Sequence, residues 1–232
     1  MYRVRQVKVR VDDNNLIEKI VKKTNLKEDI KEYKILKQSI DARNKNNIYF
    51  VYEVVIDTNK KLKLSNDISI YKEEKYLFPN EGNKELKNRP VIIGSGPAGL
   101  FCALLLARYN YKPIIIERGE KVEDRVKTVE EFWENNKLNL NSNIQFGEGG
   151  AGTFSDGKLN TLISDKENRM KFVFEEFYKH GAEEEILYSY KPHIGTDVLT
   201  KIVKNIREEI ISLGGEYRFN TCLKILFLLL YF

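Results

Sequence analysis

The N-terminal part of the chain shows the alternating pattern that predicts β-strands. Residues 2–11 alternate basic and apolar side chains, as in a strand with one buried face. The alternation slips at Gln6-Val7, which indicates a β-bulge at this point. Two further strands are predicted over residues 33–40 and 48–57.

A short helix is predicted between the first two of these strands, over residues 14–23. We expect Asp13 or Asn14 to cap its N-terminus, and Leu16 and Ile20 to face inward. The resulting order β-α-β-β indicates a small α+β domain, which would be an incomplete ferredoxin-like fold.

From residue 88 onward, short apolar runs are separated by helical segments. The runs Val91–Ile93 and Ile114–Ile116 are apolar throughout, which is typical of parallel strands that are buried on both faces. A helix is predicted from Pro97 to Tyr109, with Asn110 in the left-handed cap position. Strand, helix and strand in this order predict a Rossmann-like parallel sheet.

Later segments continue the alternation of helices and strands. The next predicted helices span residues 121–136, 169–180 and 196–213, and a strand is predicted over 216–221. In the second of these helices, we expect Met170, Val173 and Phe177 to face inward, and either Thr196 or Asp197 should cap the third.

The fold class that follows is α/β, with two parts joined by a charged segment. Residues 1–71 are predicted to form the small α+β domain, and residues 72–87 a charged linker. Residues 88–232 are predicted to form an incomplete, doubly wound Rossmann-like domain that binds FAD or NAD(P).

Composition changes this picture little. The chain has 42% hydrophobic and 31% charged residues, which is typical of a globular protein, and its net charge is +5. The first residues contain no apolar signal core, so a cytoplasmic location without a membrane partner is expected.

Four basic residues of the first strand could form one basic surface; they are Arg3, Arg5, Lys8 and Arg10. Solvated positions of a half-buried sheet are the favoured interpretation, and no nucleic-acid partner is expected.

The glycine pattern after the first apolar run is the strongest chemical signal. Gly94, Gly96 and Gly99 form a G-x-G-x-x-G sequence between a predicted strand and a predicted helix. Gly94 permits the sharp turn, and Gly96 has no Cβ, so that a pyrophosphate can approach the backbone. Gly99 and Ala103 allow the helix to pack closely on the sheet, and the helix directs its amides and positive dipole end at the phosphates.

Glu117 narrows the choice of dinucleotide. It ends the second apolar run, about twenty residues after the glycines, where a carboxylate accepts hydrogen bonds from ribose hydroxyls. A 2′-phosphate would face this anion, which disfavours NADP. NAD and FAD both remain open at this point.

A second glycine-rich stretch covers residues 143–159 and holds five glycines. Such a density is incompatible with an ordinary strand or helix. Successive unhindered amides can form an anion-binding nest or a surface for a flat ring. A flexible surface loop is the alternative.

These two stretches, together with the sequence Lys191-Pro-His-Ile-Gly-Thr-Asp197, resemble the family usually called uncharacterised FAD-dependent dehydrogenases, or NAD(FAD)-utilising dehydrogenases. The resemblance runs from the amino terminus to about Thr221. It implies FAD bound by the first glycine turn, with Glu117 on the adenosine ribose and the second glycine loop near the flavin. NAD(P)H is the implied electron donor. The cofactor-binding residues implied in this way are Gly94, Ser95, Gly96, Pro97, Ala98, Gly99, Glu117, Arg118, Arg125, Gly149, Gly150, Ala151 and Gly152.

Arg125 is a separate case within this set. Val122, Val126, Val129 and Trp133 lie on one predicted helical face, and Arg125 lies off it. Arg118 and Arg125 are implied near the adenine or the phosphates. For Arg125, a solvated helix arginine is the equal alternative.

The remaining chemistry-bearing residues point to no catalyst or metal site. Cys102 and Cys222 have no metal spacing, and Cys102 is expected to be a small buried residue of its helix. Thiol–disulfide chemistry is therefore not expected. His180 is interpreted as a helix cap, and His193, in a turn before a helix, is the better candidate for a function.

The last residues, Cys222–Phe232, are almost entirely apolar and are expected to expose an aggregation-prone segment. The family resembled is several hundred residues longer, so a truncated form, or one that needs a complementing second chain, is expected. The predicted function is a FAD-binding oxidoreductase. The alternatives are an NAD-binding domain of a pyridine-nucleotide oxidoreductase, or a non-catalytic nucleic-acid-binding module acting through the basic first strand.

Overall fold

A computed structural model describes residues 1–26, 29–80, 82–159 and 164–224. The chain forms two compact units. The first unit contains residues 1–77, 159–178 and 183–192, and the second contains residues 78–158, 179–182 and 193–232. The first unit is therefore discontinuous in sequence. The predicted boundaries near residues 71 and 87 stay a prediction.

The first unit is built on a four-stranded antiparallel sheet with one helix packed on it. Its elements are β1 (Tyr2–Arg10), α1 (Leu16–Thr24), β2 (Glu32–Asp41), β3 (Tyr49–Asp57) and β4 (Ile68–Ile70). The strand order is β2-β3-β1-β4. The predicted order β-α-β-β is present, and the short β4 was not predicted. A ferredoxin-like fold has a second helix before its fourth strand, and residues 58–67 contain none.

The predicted bulge in β1 is confirmed. The pairing of β1 with β3 shifts between Val4 and Val7, and Gln6 has a positive φ of 53°. Side chains alternate across a strand, so residues three positions apart would point to opposite faces. The extra residue of the bulge brings Val4 and Val7 to the same face. They form a buried core with Leu16 and Ile20 of α1, which is the predicted inward face of that helix. The cap of α1 was predicted one or two residues early, since it is the side chain of Asn15 that accepts from the amide of Glu18.

The second unit holds a three-stranded parallel sheet in the order β5-β6-β7. Its elements are β5 (Val91–Ile93), α2 (Pro97–Arg108), β6 (Ile114–Ile116), α3 (Val122–Asn135), α5 (Thr196–Ser212) and β7 (Glu216–Arg218). Helix α4 (Arg169–Lys179) precedes α5 in the chain, and its residues 169–178 belong to the first unit. The molecule is thus a mixed α/β protein, as predicted, and α2 packs against both α5 and the first two strands of the sheet.

Helix ends follow the sequence closely where asparagine or glycine takes a left-handed conformation. Asn110 (φ 62°) and Asn136 (φ 54°) lie at or just after the C-terminal ends of α2 and α3, and Gly214 (φ 88°) follows α5. The predicted cap of α5 is wrong, however. Gly195 occupies the cap position, and no side chain completes it with a hydrogen bond.

Three expectations about buried side chains are also wrong. Met170 is 37% exposed and Trp133 is 57% exposed. Cys102 is exposed as well, because α2 buries the other face, formed by Leu100, Ala103, Leu104 and Ala107. An apolar side chain at helical spacing identifies the buried stripe only where the neighbouring element covers its whole width.

Two sequence expectations concern segments with little structural description. Within the described residues, no helix is long and apolar enough to cross a membrane. Of the apolar segment 222–232, only residues 222–224 are described, so the predicted aggregation-prone stretch from Leu226 onward lies outside the described residues.

The core between β1 and α1 gives a direct test of this packing. Ile20 is fully buried and Ile17, on the same helix, is 40% exposed. Replacement Ile20→Ala should lower the free energy of unfolding of the first unit by about 2–5 kcal/mol, because it leaves a cavity. Ile17→Ala, the matched control, should change it by less than about 0.5 kcal/mol. Urea denaturation followed by circular dichroism measures both, and equal effects would contradict the assigned helix face.

Candidate functional site

The turn between β5 and α2 presents free backbone amides at a helix N-terminus. Gly94 has a φ of +91°, and its amide donates to the carbonyl of Ile116 at 2.8 Å, which ties the turn to β6. Gly96 is the N-cap residue of α2. Among the described residues, nothing accepts a hydrogen bond from the amides of Gly96, Ala98 or Gly99. Such unpaired amides at a helix start are suited to bind an anion.

The glycines of this turn have different structural roles. A Cβ on Gly99 would lie 2.1 Å from the carbonyl oxygen of Gly94 and 3.4 Å from the side chain of Ile92, so α2 approaches the turn too closely for any other residue. A Cβ on Gly96 would meet nothing within 4 Å. The space in front of Gly96 is therefore open, as the approach of a pyrophosphate to the backbone requires.

Glu117 joins this turn to the turn after β6. One carboxylate oxygen accepts from the amide of Ser95 at 2.6 Å, and the other accepts from the amide of Gly119 at 2.8 Å. The side chain is almost buried, at 5% exposure. Each carboxylate oxygen has a second lone pair, so these bonds leave acceptor capacity. The sequence predicted Glu117 as a ribose acceptor, but its link to the backbone of both turns was not foreseen.

The second glycine-rich stretch lies directly beside the first. The amide of Gly149 donates to the carbonyl of Ser95 at 2.8 Å. A Cβ on Gly150 would lie 3.1 Å from the ring of Pro97. Residues Ala151–Phe154 then form a short 3₁₀ turn, of which Ala151 and Gly152 are exposed. Two glycine loops that are far apart in the chain thus form one backbone surface.

Arg125 holds the second loop in this position. Its guanidinium is fully buried and donates to the carbonyls of Asn143, Ile144, Gly147, Glu148 and Gly150, at 2.6–3.3 Å. Burial lowers the pKa of Arg125 to about 10, so the group remains a cation at neutral pH. The solvated alternative for Arg125 is therefore wrong. The buried residues of α3 are Val122, Arg125 and Val129. The sequence pattern predicted the two valines but missed Arg125, because arginine is rarely buried.

These elements enclose a cavity of about 300 Å³ in the second unit. Of the predicted cofactor residues, Gly94, Gly96, Glu117, Arg118 and Gly150 line it. The guanidinium of Arg118 lies over the ring of Phe146, 4.4 Å from its centroid. The others do not line the cavity; they are Ser95, Pro97, Ala98, Gly99, Arg125, Gly149, Ala151 and Gly152. The volume is at the small end of ligand sites, which suits a part of a dinucleotide.

A buried ionic cluster that the sequence did not reveal lies behind the glycine loops. Glu148 is fully buried and accepts from Arg207 at 2.5 Å and from the amide of Val122 at 2.8 Å. Arg207 also donates to Glu123 at 2.6 Å. Burial raises the pKa of Glu148 to about 7, against the opposing effect of Arg207. Glu148 does not line the cavity, so we assign the cluster to the framework that positions the loops.

The other polar residues considered from the sequence have structural partners. His180 is buried, and its Nε2 lies 2.8 Å from Glu209. His193 donates from Nε2 to the carbonyl of Asp156 at 2.9 Å. Within the part of the chain that the structure describes, no group of three or more His, Cys, Asp or Glu residues could hold a metal ion.

The basic residues of β1 are each close to a carboxylate. Arg3 and Arg5 both contact Glu53, Lys8 contacts Asp41, and Arg10 contacts Asp12. These contacts reduce the positive charge that β1 can offer to a polyanion.

Comparison with known proteins agrees with this geometry at the level of protein class. Residues 92–148 match the family model described as an NAD(P)-binding Rossmann-like domain. The matched segment begins in β5 and ends at Glu148. It contains the whole first glycine turn, Glu117, Arg125 and the beginning of the second glycine-rich stretch. The match supports the binding of a nucleotide cofactor.

Two further similarities cover the rest of the chain. Residues 1–57 match a family model described as a domain of unknown function (DUF8436). The chain is also 51% identical over 230 residues to an uncharacterized protein of Clostridium beijerinckii (strain ATCC 51743 / NCIMB 8052). The matched region is 96% of this chain and 43% of that protein, so the chain spans less than half the length of this relative.

The glycine turn gives a prediction about stability alone. Gly99→Ala should lower the free energy of unfolding of the second unit by about 2–3 kcal/mol, because the new methyl group would overlap the backbone of Gly94. Gly96→Ala is the matched control, since its φ of −72° suits alanine and its surroundings are open. We expect it to change stability by less than about 1 kcal/mol. Chemical denaturation of both variants checks this, and similar losses in the two would exclude the proposed close contact.

The role of Arg125 gives a second prediction. Arg125→Met should destabilise the second unit by about 3 kcal/mol or more, because five carbonyls lose a buried charged donor. Hydrogen exchange of the amides of residues 143–150 should become faster. Arg118→Met removes an exposed arginine from the same region and should cost less than about 1 kcal/mol. Unchanged exchange in the Arg125 variant would show that the loop is held by other contacts.

Proposed function

We propose that the chain binds FAD at the first glycine turn and is part of a flavin-dependent oxidoreductase. The observation that carries this proposal is the open turn at Gly96. It combines unpaired amides at the start of α2 with the carboxylate of Glu117 on the same cavity. A bound flavin would supply hydride or electron transfer, while the protein supplies binding, orientation and electrostatics.

The residues of the site then have distinct tasks. The amides of Gly96, Ala98 and Gly99 would bind the pyrophosphate, assisted by the dipole of α2. Glu117 would accept from ribose hydroxyls through the lone pairs that its two amide bonds leave free. Arg118, stacked on Phe146 at the cavity wall, would contact the adenine or a phosphate.

The second glycine loop favours FAD as the ligand, because it extends the binding surface beyond the part that a single nucleotide would occupy. Its backbone continues the surface of the first turn through the bond from Gly149 to Ser95. The cavity of about 300 Å³ accommodates only part of a dinucleotide. A flat ring would then extend along the exposed glycines beyond it, and NAD(P)H is the proposed electron donor. We assign no catalytic acid or base, since the described residues that line the cavity include no pair with a geometry suited to proton transfer.

The test uses Gly96→Val, which places a branched side chain in the open space of the turn. We expect the variant to lose bound flavin while keeping the thermal melting of the parent chain, because a Cβ at this position meets no protein atom. Gly82→Val is the control, since Gly82 also has open surroundings and lies outside the site. Flavin absorbance and fluorescence titration, measured on the same samples as the melting curve, give the two readouts.

The same titration separates FAD from the pyridine-nucleotide alternative. Each protein is titrated with FAD and, independently, with NADH. Saturable binding of NADH and none of FAD by the parent chain would favour an NAD-binding domain. Retention of FAD by Gly96→Val would show that the cofactor does not use this turn.

A further inference from the structure

A second cavity lies in the first unit, and no residue of either glycine loop lines it. Its volume is about 790 Å³, which is within the range of sites for drug-sized ligands. Its walls come from β1, β2 and β3, from the segment around β4, from α4, and from residues 186–190. Neither the proposed function nor either matched family model assigns a ligand to this space.

The cavity exists because the sheet of the first unit has one apolar and one polar face. Val4, Val7 and Val9 of β1 are buried against α1. The alternate residues Arg3 and Arg5 point to the opposite face and line the cavity. Residues 186–190 complete a wall, and the amide of Gln38 in β2 donates to the carbonyl of Tyr188 at 2.8 Å.

The lining carries an excess of positive charge. Six cationic side chains and three carboxylates line the cavity; the cations are Arg3, Arg5, Lys34, Lys37, Lys72 and Lys171. Two of the carboxylates are already near cations, since Glu53 contacts both arginines and Glu175 lies 4.0 Å from Lys171. Among the described residues, Lys34, Lys37 and Lys72 have no carboxylate within ion-pair distance. Such a surplus favours an anion.

The remaining lining is aromatic and apolar rather than uniformly polar. Tyr71, Phe174, Tyr188 and Tyr190 contribute rings, and Ile70 and Leu187 are among the aliphatic residues. Burial raises the pKa of Tyr71 and of Tyr188, so both phenols keep their protons and can donate a hydrogen bond to an acceptor. A ligand with a planar or apolar body fits this lining better than an inorganic ion does.

We propose that the first unit binds a small organic anion, a planar ring bearing a carboxylate or phosphate group, in this cavity. Lys34, Lys37 and Lys72 hold the anionic group, and the tyrosines contact the ring. This site shares no lining residue with the proposed dinucleotide site of the second unit, and it would bind a different ligand.

Calorimetric titration of the full chain with four probes tests the proposal. Phenyl phosphate and benzoate carry both a ring and an anionic group, whereas inorganic phosphate carries only the charge and benzyl alcohol only the ring. We expect at least one of the first two to bind about tenfold more tightly than either single-feature probe. Whether phenyl phosphate or benzoate binds better identifies the anionic group.

Two double variants locate the binding. Lys37→Gln with Lys72→Gln should weaken the preferred probe by about tenfold or more, since each lysine supplies a charged donor. Lys61→Gln with Lys63→Gln makes the same change of charge at exposed lysines outside the cavity and should leave the affinity unchanged. The Gly96→Val variant should also bind the probe normally.

Three results would overturn the proposal. These are the absence of binding by both ring-bearing anions at millimolar concentration, equal weakening by the two double variants, and loss of binding in Gly96→Val. The second would indicate general charge attraction, and the third would place the probe at the dinucleotide site.

Discussion

The buried guanidinium of Arg125 is the interaction on which the second unit depends most. Glycine loops have no side chains with which to build a core, so the position of the stretch after residue 143 must be fixed through its backbone. One arginine does this by donating to five carbonyls of that stretch. The cost of burying the cation is reduced by those carbonyls, because charge-assisted hydrogen bonds are stronger than neutral ones.

Glu117 has the complementary task of holding amides. Its carboxylate accepts from Ser95 and Gly119, which follow two neighbouring strands of the sheet. The cation Arg125 thus donates to carbonyls of one loop, and the anion Glu117 accepts from amides of the two neighbouring turns. The amides of the turn that remain unpaired are those at the start of α2. The arrangement leaves open the backbone groups to which the proposed pyrophosphate would bind.

The sequence predicted those parts of the fold that are determined locally. The bulge at Gln6, the left-handed Asn110 and the glycine turn after β5 each depend on a few adjacent residues. Glu117 was predicted as the ribose acceptor because its spacing from the glycines is fixed by one strand, one helix and one further strand, and the structure shows it lining the cavity. The presence of two glycine-rich loops was also evident in the sequence, although their contact was not.

What could not be predicted depends on residues that are distant in the chain. Arg125 could be classified only after the carbonyls of the second loop were seen around it. Trp133 and Cys102 are exposed because the elements packed on α3 and α2 cover other parts of their surfaces. Glu148 pairs with Arg207, which lies in a distant segment, and the local sequence around either residue does not predict the other as its partner. The cavity of the first unit depends in the same way on residues 186–190.

The discontinuity of the first unit has a consequence for its synthesis. Residues 1–77 leave the ribosome well before residues 183–192, which supply the backbone contact at Gln38. Throughout that interval the outer strand β2 has unpaired amides and carbonyls that another strand could use. Contacts of such high sequence separation also slow the last step of folding. The nascent chain therefore completes the edge of β2 at Gln38 only after residues 183–192 have been synthesised.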